Sequence, residues 1–228
     1  MRRLGHLLLL ACAAGPVAAE RPATLPDTIE QRVLACASCH ARADRNDAFF
    51  PRISGKPAGY LYNQLVNFKT GARQFPMMTY MVSHLPDDYL REIAQHFSQQ
   101  HLAPVATVQP ALPAAVLERG RVLAMQGDRA TGVPACIACH GKALTGVAPS
   151  IPGLVGLPRD YVNAQFGAWK NKVRRATAPD CMADIANRLS LDDVSAVSSW
   201  LAAQPVSAAA RPDTSVARPL PIACGSAP

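Results

Sequence analysis

The chain has 228 residues, 49% hydrophobic and 17% charged, with a formal net charge of +7. That composition excludes a disordered, collagen-like or coiled-coil chain, and no run of 18 apolar residues is present to cross a bilayer as a helix. The length suits one large or two small domains, and the unusual counts are 7 Cys and 20 Pro.

The first 19 residues read as an export signal. Arg2 and Arg3 form a short positive region, and Leu7 to Ala14 is an apolar stretch too short to span. Val17-Ala18-Ala19 then offers small residues for signal peptidase. Cleavage before Glu20 would deliver the chain to the periplasm and lower the formal charge from +7 to +5 by removing Arg2 and Arg3. Leu9-Leu10-Ala11-Cys12 is a weaker match to a lipoprotein signal, with Cys12 as the lipidated residue.

Six cysteines follow the signal, and four of them fall into two pentads. These are Cys36-Ala37-Ser38-Cys39-His40 and Cys136-Ile137-Ala138-Cys139-His140. Cys-x-x-Cys-His is the attachment signature of c-type haem. Two thiols three residues apart on a helical turn reach the two vinyl groups of one porphyrin, and the following His turns its imidazole onto the iron. Composition alone predicts ~0.006 such pentads in a chain of this kind. Zinc held by the two Cys pairs, or a dithiol redox centre, are the alternatives. The His after each pair and the export signal favour haem, so two covalently bound haem c groups are expected.

The chain is a tandem repeat. Pro51-Arg52-Ile53-Ser54-Gly55-Lys56-Pro57 matches Pro152-Gly153-Leu154-Val155-Gly156-Leu157-Pro158. Tyr60, Gln64 and Phe68 match Tyr161, Gln165 and Trp169, a four-residue spacing that makes one stripe of a helix. Leu85 to Phe97 matches Leu189 to Leu201, with Pro86 and Ser190 at the predicted helix starts. Strand signals are nearly absent, so the predicted fold class is all-α, with three or four helices around each haem. The expected division is a signal at 1–19, an N-terminal domain at 20–103, a C-terminal domain at 104–205 and a Pro/Ala-rich tail at 206–228. His101 to Pro113 forms the Pro-rich joint.

A low-spin electron carrier needs a sixth iron ligand, and a Met thioether is soft and raises the potential. Met182 is the only Met after the second haem motif and lies seven residues before Leu189. Of Met77, Met78 and Met81, only Met78 lies seven residues before Leu85, so the repeat selects Met78, with Met77 as its main competitor. The rival role for these residues is core packing. His84, His96 and His101 are the histidine alternatives.

Taken together, the two haem pentads, the Pro-x-Ile/Leu-x-Gly-x-Pro-x-x-Tyr-x-x-x-Gln segment after each, and a Met before a Leu-led helix resemble the cytochrome c4 family over residues 28–203. The resemblance implies two tandem class I cytochrome c domains related by pseudo-twofold symmetry, and a periplasmic one-electron carrier. It implies that Cys36, Cys39, Cys136 and Cys139 carry the thioethers. His40 and Met78 would then ligate the first iron, and His140 and Met182 the second. It also implies a donor such as a quinol–cytochrome c reductase or periplasmic dehydrogenase, and a terminal oxidase as acceptor. The sequence departs from the family where Ala41 stands after His40, whereas Gly141 fits, and where Cys181 stands beside Met182.

Cys181 and Cys224 are left over. In an oxidising compartment an even pair suggests a disulfide; two free thiols, or Cys181 as a thiolate ligand to iron, are the alternatives. Residues 20–103 carry +1 and residues 104–228 carry +4. Lys170, Lys172, Arg174 and Arg175 cluster as a candidate docking patch for an acidic redox partner at a membrane, against the plainer reading of a solvated helix end. No nucleic-acid-binding motif is present. The competing functional classes are a haem subunit of a dehydrogenase complex, or a dihaem enzyme (peroxidase or thiosulfate-type dehydrogenase) with one labile or Cys-ligated iron.

Overall fold

The computed structural model describes residues 26–42, 44, 46–101, 103–104, 112–215 and 219–227. The signal segment, Cys12 and most of the joint lie outside them. Ten helices and one small ladder follow in chain order among the described residues. They are α1 (Ile29–Arg32), α2 (Leu34–His40), α3 (Ala58–Lys69), α4 (Pro76–Val82), α5 (Asp87–Gln99), α6 (Ala114–Met125), α7 (Ile137–His140), β1 (Gly146–Val147), β2 (Ile151–Pro152), α8 (Arg159–Lys170), α9 (Cys181–Arg188) and α10 (Leu191–Ala202). The strands pair antiparallel, with Val147 opposite Ile151. This ladder has no sequence signal, because two-residue strands are too short to show a period of two.

The repeat is visible element by element. In α5, Leu90, Ile93, Ala94 and Phe97 are buried, the i, i+3, i+4, i+7 stripe of a helix with one face in a core. In α10 the same stripe is Val194, Val197, Ser198 and Leu201. Asp87 and Asp88 sit in the first turn of α5, where carboxylates favour the positive end of the helix dipole. In α10 Ser190 caps the Asp193 N–H at 3.0 Å, and the Asp193 carboxylate accepts from the Ser190 N–H, a complete capping box. Pro57 and Pro158 stand before α3 and α8, so these two helices start at equivalent places.

Each half has its own core. Val33, Leu61, Ile93, Ala94 and Phe97 form one cluster in the first half, and Phe68, Val82 and Leu90 a second; Tyr62 and Leu65 touch both. The second half is one larger cluster that includes Leu123, Val162, Phe166, Leu189, Val197 and Leu201. Helices α6 and α10 are joined at the surface by Arg119, which donates to Asp193 and to Asp128, each at 2.7 Å.

That bridge gives the second half a defined acid sensitivity. The Arg119 hydrogen bonds hold both Asp128 and Asp193 below the usual carboxylate range. Their folded values are depressed relative to an unfolded value near ~3.9, so the stability they contribute is present above that value and fades as pH falls through the folded ones. Arg119→Met should therefore raise the midpoint of acid unfolding. Both Trp residues, Trp169 and Trp200, lie in this half, so Trp emission reads the transition there. An unchanged midpoint would show that the bridge contributes nothing to acid resistance.

Candidate functional site

The two haem pentads fold as local helices. In the first half α2 carries Cys36, Cys39 and His40. In the second, Cys136 leads into the single turn α7, where the Cys139 and His140 N–H groups both bond to the Cys136 carbonyl. His140 is 7% exposed. After it the chain turns through Gly141 at φ 85°, a left-handed conformation suited to glycine, whereas Ala41 sits at φ −125° and needs none. The departure at Ala41 thus reflects a different exit from the helix.

Each His is held by the first proline of the repeated segment. His40 Nδ1 lies 2.8 Å from the Pro51 carbonyl, and His140 Nδ1 lies 2.7 Å from the Pro152 carbonyl. A carbonyl can only accept, so Nδ1 carries the proton and Nε2 keeps its lone pair for a metal. Burial pushes both imidazoles below their ordinary pKa, which keeps them neutral. Burial also pushes the Cys136 thiol up to about 12. Among the described residues no three His, Cys, Asp or Glu side chains cluster as a zinc site would require.

In the second half Cys136, Cys139, His140 and Met182 line one cleft, walled by apolar side chains such as Leu123, Val162, Phe166 and Leu201. Met182 enters it from the first turn of α9. The Trp169 side chain also lines the cleft, and its buried indole N–H has no acceptor among the described residues. An apolar slot with two thiols and an imidazole in one wall, a thioether and an orphaned donor fits a porphyrin with polar edge groups. In the first half, Cys36 packs against the Phe97 cluster and Met78 against the Phe68 cluster. Met77 is 55% exposed and Met81 39%, so of the three only Met78 packs against a core. His84 and His101 are exposed, and His96 is engaged by the Gln100 side chain at 2.7 Å.

Cys181 and Cys224 form a disulfide, with Cα atoms 4.9 Å apart. This overturns both alternatives: neither sulfur is a free thiol, and Cys181 has no thiolate to offer iron. The docking patch also needs correction. Arg174 is 6% exposed and lies between the halves, and Lys170 is half-buried with its ammonium on the Leu189 carbonyl at 2.6 Å. Only Lys172 and Arg175 remain exposed.

The position of Arg174 belongs to a feature that the charge count hid. Arg73 donates to Gln64 at 2.9 Å and to Gln165 at 2.7 Å; Arg174 donates to the same two oxygens, to Gln165 at 2.7 Å and to Gln64 at 3.1 Å. Arg73 also reaches the Tyr161 hydroxyl at 3.2 Å. The backbones cross here as well, Gln74 N–H to the Val173 carbonyl and Arg175 N–H to the Ala72 carbonyl, both 2.8 Å. Arg73 stacks on Phe68 and Arg174 on Trp169. The arrangement is a pseudo-twofold clasp, in which the partners of a buried and a half-buried guanidinium are neutral amides and phenols. Burial and the nearby Arg73 charge push Arg174 below its ordinary pKa, and burial lowers that of Lys56. The signal was in the sequence: each Arg follows its Gln by nine residues. A run of basic residues nevertheless reads as a solvated face.

No family model matches the chain. A thiosulfate dehydrogenase electron acceptor from Thiomonas intermedia is 36% identical over 174 residues, covering 75% of this chain and 79% of that protein. Cytochrome c4 from Pseudomonas aeruginosa is 32% identical over 196 residues, 84% of this chain and 90% of that protein. Among solved structures, reduced cytochrome c4 from Pseudomonas stutzeri superposes with TM-score 0.63 at 27% identity, over 75% of this chain and 94% of that one. A thiosulfate dehydrogenase from Marichromatium purpuratum gives TM-score 0.67 at 29% identity, and there this chain spans only 36% of the other. Two haem-attachment motifs in an all-α repeat, with this identity over most of the length of a cytochrome c4, mean that the chain belongs to the cytochrome c4 family of dihaem cytochromes.

Proposed function

We propose that this protein is a periplasmic one-electron carrier whose two irons are each held between a His and a Met, and that it takes electrons from a dehydrogenase of the thiosulfate-oxidising kind. The observation that carries the reading is the second-half cleft, where the His140 imidazole, fixed through Pro152, and the Met182 thioether share one apolar slot with Cys136 and Cys139. Cys36, Cys39, His40 and Met78 do the same work in the first half. The haem, when bound, supplies a one-electron ferric–ferrous couple. His40 and His140 would hold it through Nε2 in a fixed orientation, Met78 and Met182 would be the second ligands, and the apolar walls would exclude water and small ligands.

Lys56, Tyr60 and Gln64 line the same cleft from the first half, and Arg174 from the second. A cationic clasp with neutral partners is suited to anionic propionates, and its place between the halves suits a path for electrons between two haems. The dehydrogenase partner is supported by the relative at 36% identity, named as an electron acceptor for thiosulfate dehydrogenase. Among the described residues no helix is long and apolar enough to cross a membrane.

The test is exposure of the reduced holoprotein to carbon monoxide, followed by mixing the oxidised holoprotein with a thiosulfate dehydrogenase and thiosulfate. An unchanged Soret band and rapid reduction of both haems are expected. A Soret shift in the unmodified protein would overturn the carrier reading in favour of an enzyme with an open iron. Failure of reduction would remove the partner.

A further inference from the structure

The two halves differ beside Met78 and Met182. Met78 follows Met77 in the first half, whereas Met182 follows a cysteine whose sulfur is bonded to Cys224, 43 residues on. The described C-terminal segment, residues 219–227, does not hang free. Leu220, Ile222, Cys224, Ser226 and Ala227 line the same cleft as Cys136, His140 and Met182. The Gly225 N–H donates to the Pro179 carbonyl at 2.9 Å. A Cβ on Gly225 would lie 2.2 Å from the Ala178 carbonyl oxygen, so the segment presses backbone to backbone on the loop that leads into α9. Upstream, the Asp213 backbone bonds to Gly146 and Ala148 beside the haem motif, at 2.9 and 2.7 Å. The same loop is tied from within by Asp180, which accepts from Ala176 and Ala183.

We propose that Cys181 and Cys224 are positioning residues: their disulfide straps residues 219–227 over the second haem cleft as its outer wall and holds the Met182 thioether on the iron against competing ligands. The inference rests on the His–Met reading above. Three features converge: the bond anchors the residue next to Met182, the segment it anchors lines the haem cleft, and its backbone is seated on the loop that carries Met182. The first half has no cysteine beside Met78, so it relies on core packing alone and serves as an internal control. A strap matters here because a Met–iron bond is weak enough to be lost when its loop moves.

The test compares three perturbations of the full-length holoprotein. Cys224→Ser removes the bond. Gly225→Ala keeps both cysteines but places a methyl where the Ala178 carbonyl stands. Treatment of the unmodified protein with a dithiol opens the bond directly: the dithiol gives two electrons and two protons, the S–S bond becomes two thiols, and the dithiol closes to its own disulfide. Alkylation and mass measurement then count the released thiols.

In each case one haem of the two should bind carbon monoxide when ferrous, and the ferric Met–iron charge-transfer band should fall to half, while the other haem is unchanged. If alkylation shows the bond open and neither signal moves, the strap has no positioning role and the proposal is overturned. If the unmodified protein itself binds carbon monoxide or lacks the charge-transfer band, it is the His–Met reading that fails. Should Cys224→Ser not fold, the dithiol experiment on the native protein gives the same readout.

Discussion

Replacing Cys136 and Cys139 together with Ser is expected to lower the haem content from two per chain to one, and Cys36→Ser with Cys39→Ser to do the same in the other half. The reason is chemical and structural at once. Thioether bonds need the sulfur, and Ser offers no substitute. Each half packs around its own cluster, so the remaining haem keeps its site. The two losses should differ in their effect on folding. Leu123, Val162, Phe166 and Leu201 are core side chains that also line the second-half cleft, and a porphyrin there would cover the rest of its apolar wall. Leaving even a few hundred Å² of apolar wall uncovered forgoes several kcal/mol at about 25 cal/mol per Å². Loss of the second haem should therefore loosen that half, seen as lost helical signal and as unquenched emission from Trp169 and Trp200. Intact-protein mass and the haem-to-protein ratio decide the matter. Two haems retained in either variant would mean that the motif is not the attachment site.

How much of this was legible in the sequence follows from what kind of constraint each part obeys. The haem pentads could be read because covalent chemistry fixes their spacing whatever the fold around them. Met78 is proposed over Met77 and Met81 because tandem repeats keep their register, and it is the one of the three that packs against the Phe68, Val82 and Leu90 cluster. Prolines that bond to the haem histidines were visible as a repeated segment, but not as hydrogen-bond acceptors, since a carbonyl has no sequence signature. The Arg clasp was hidden because burial is a property of the assembled halves. Arg174 sits among Lys170, Lys172 and Arg175, and only the contact with Gln64, 110 residues away, reveals it as interior. The placement of residues 219–227 was legible only through the leftover Cys181 and Cys224 pair. Ala, Pro and Ser give no periodicity, and the segment is placed by one disulfide and a few backbone bonds rather than by an apolar stripe.

Arg174→Met should lower the reduction potential of at least one haem by on the order of 50 mV. The Arg174 charge is buried at the cleft that also holds His140 and Met182, and a fixed positive charge favours the reduced, less positive state of a nearby iron. At a separation of ~10 Å with an effective dielectric of ~20, one unit charge is worth roughly 1.7 kcal/mol, or about 70 mV for a one-electron couple, before solvent and ionising groups compensate. Met keeps the packing on Trp169 and removes only the charge and the donors. The Gln64 and Gln165 oxygens would each keep a bond from Arg73, which limits the loss of stability to ~1–3 kcal/mol for the donors removed. Lys172→Met is the control. That side chain is exposed and solvent-screened, so it should shift the potentials little although it removes the same charge. Potentiometric titration of both variants separates the alternatives. If Arg174→Met and Lys172→Met shift the potentials equally, the clasp acts only through net charge. A shift confined to Arg174→Met, with Arg73→Met behaving likewise, would mean that the two guanidiniums between the halves set the electrostatic environment through which the haems exchange electrons.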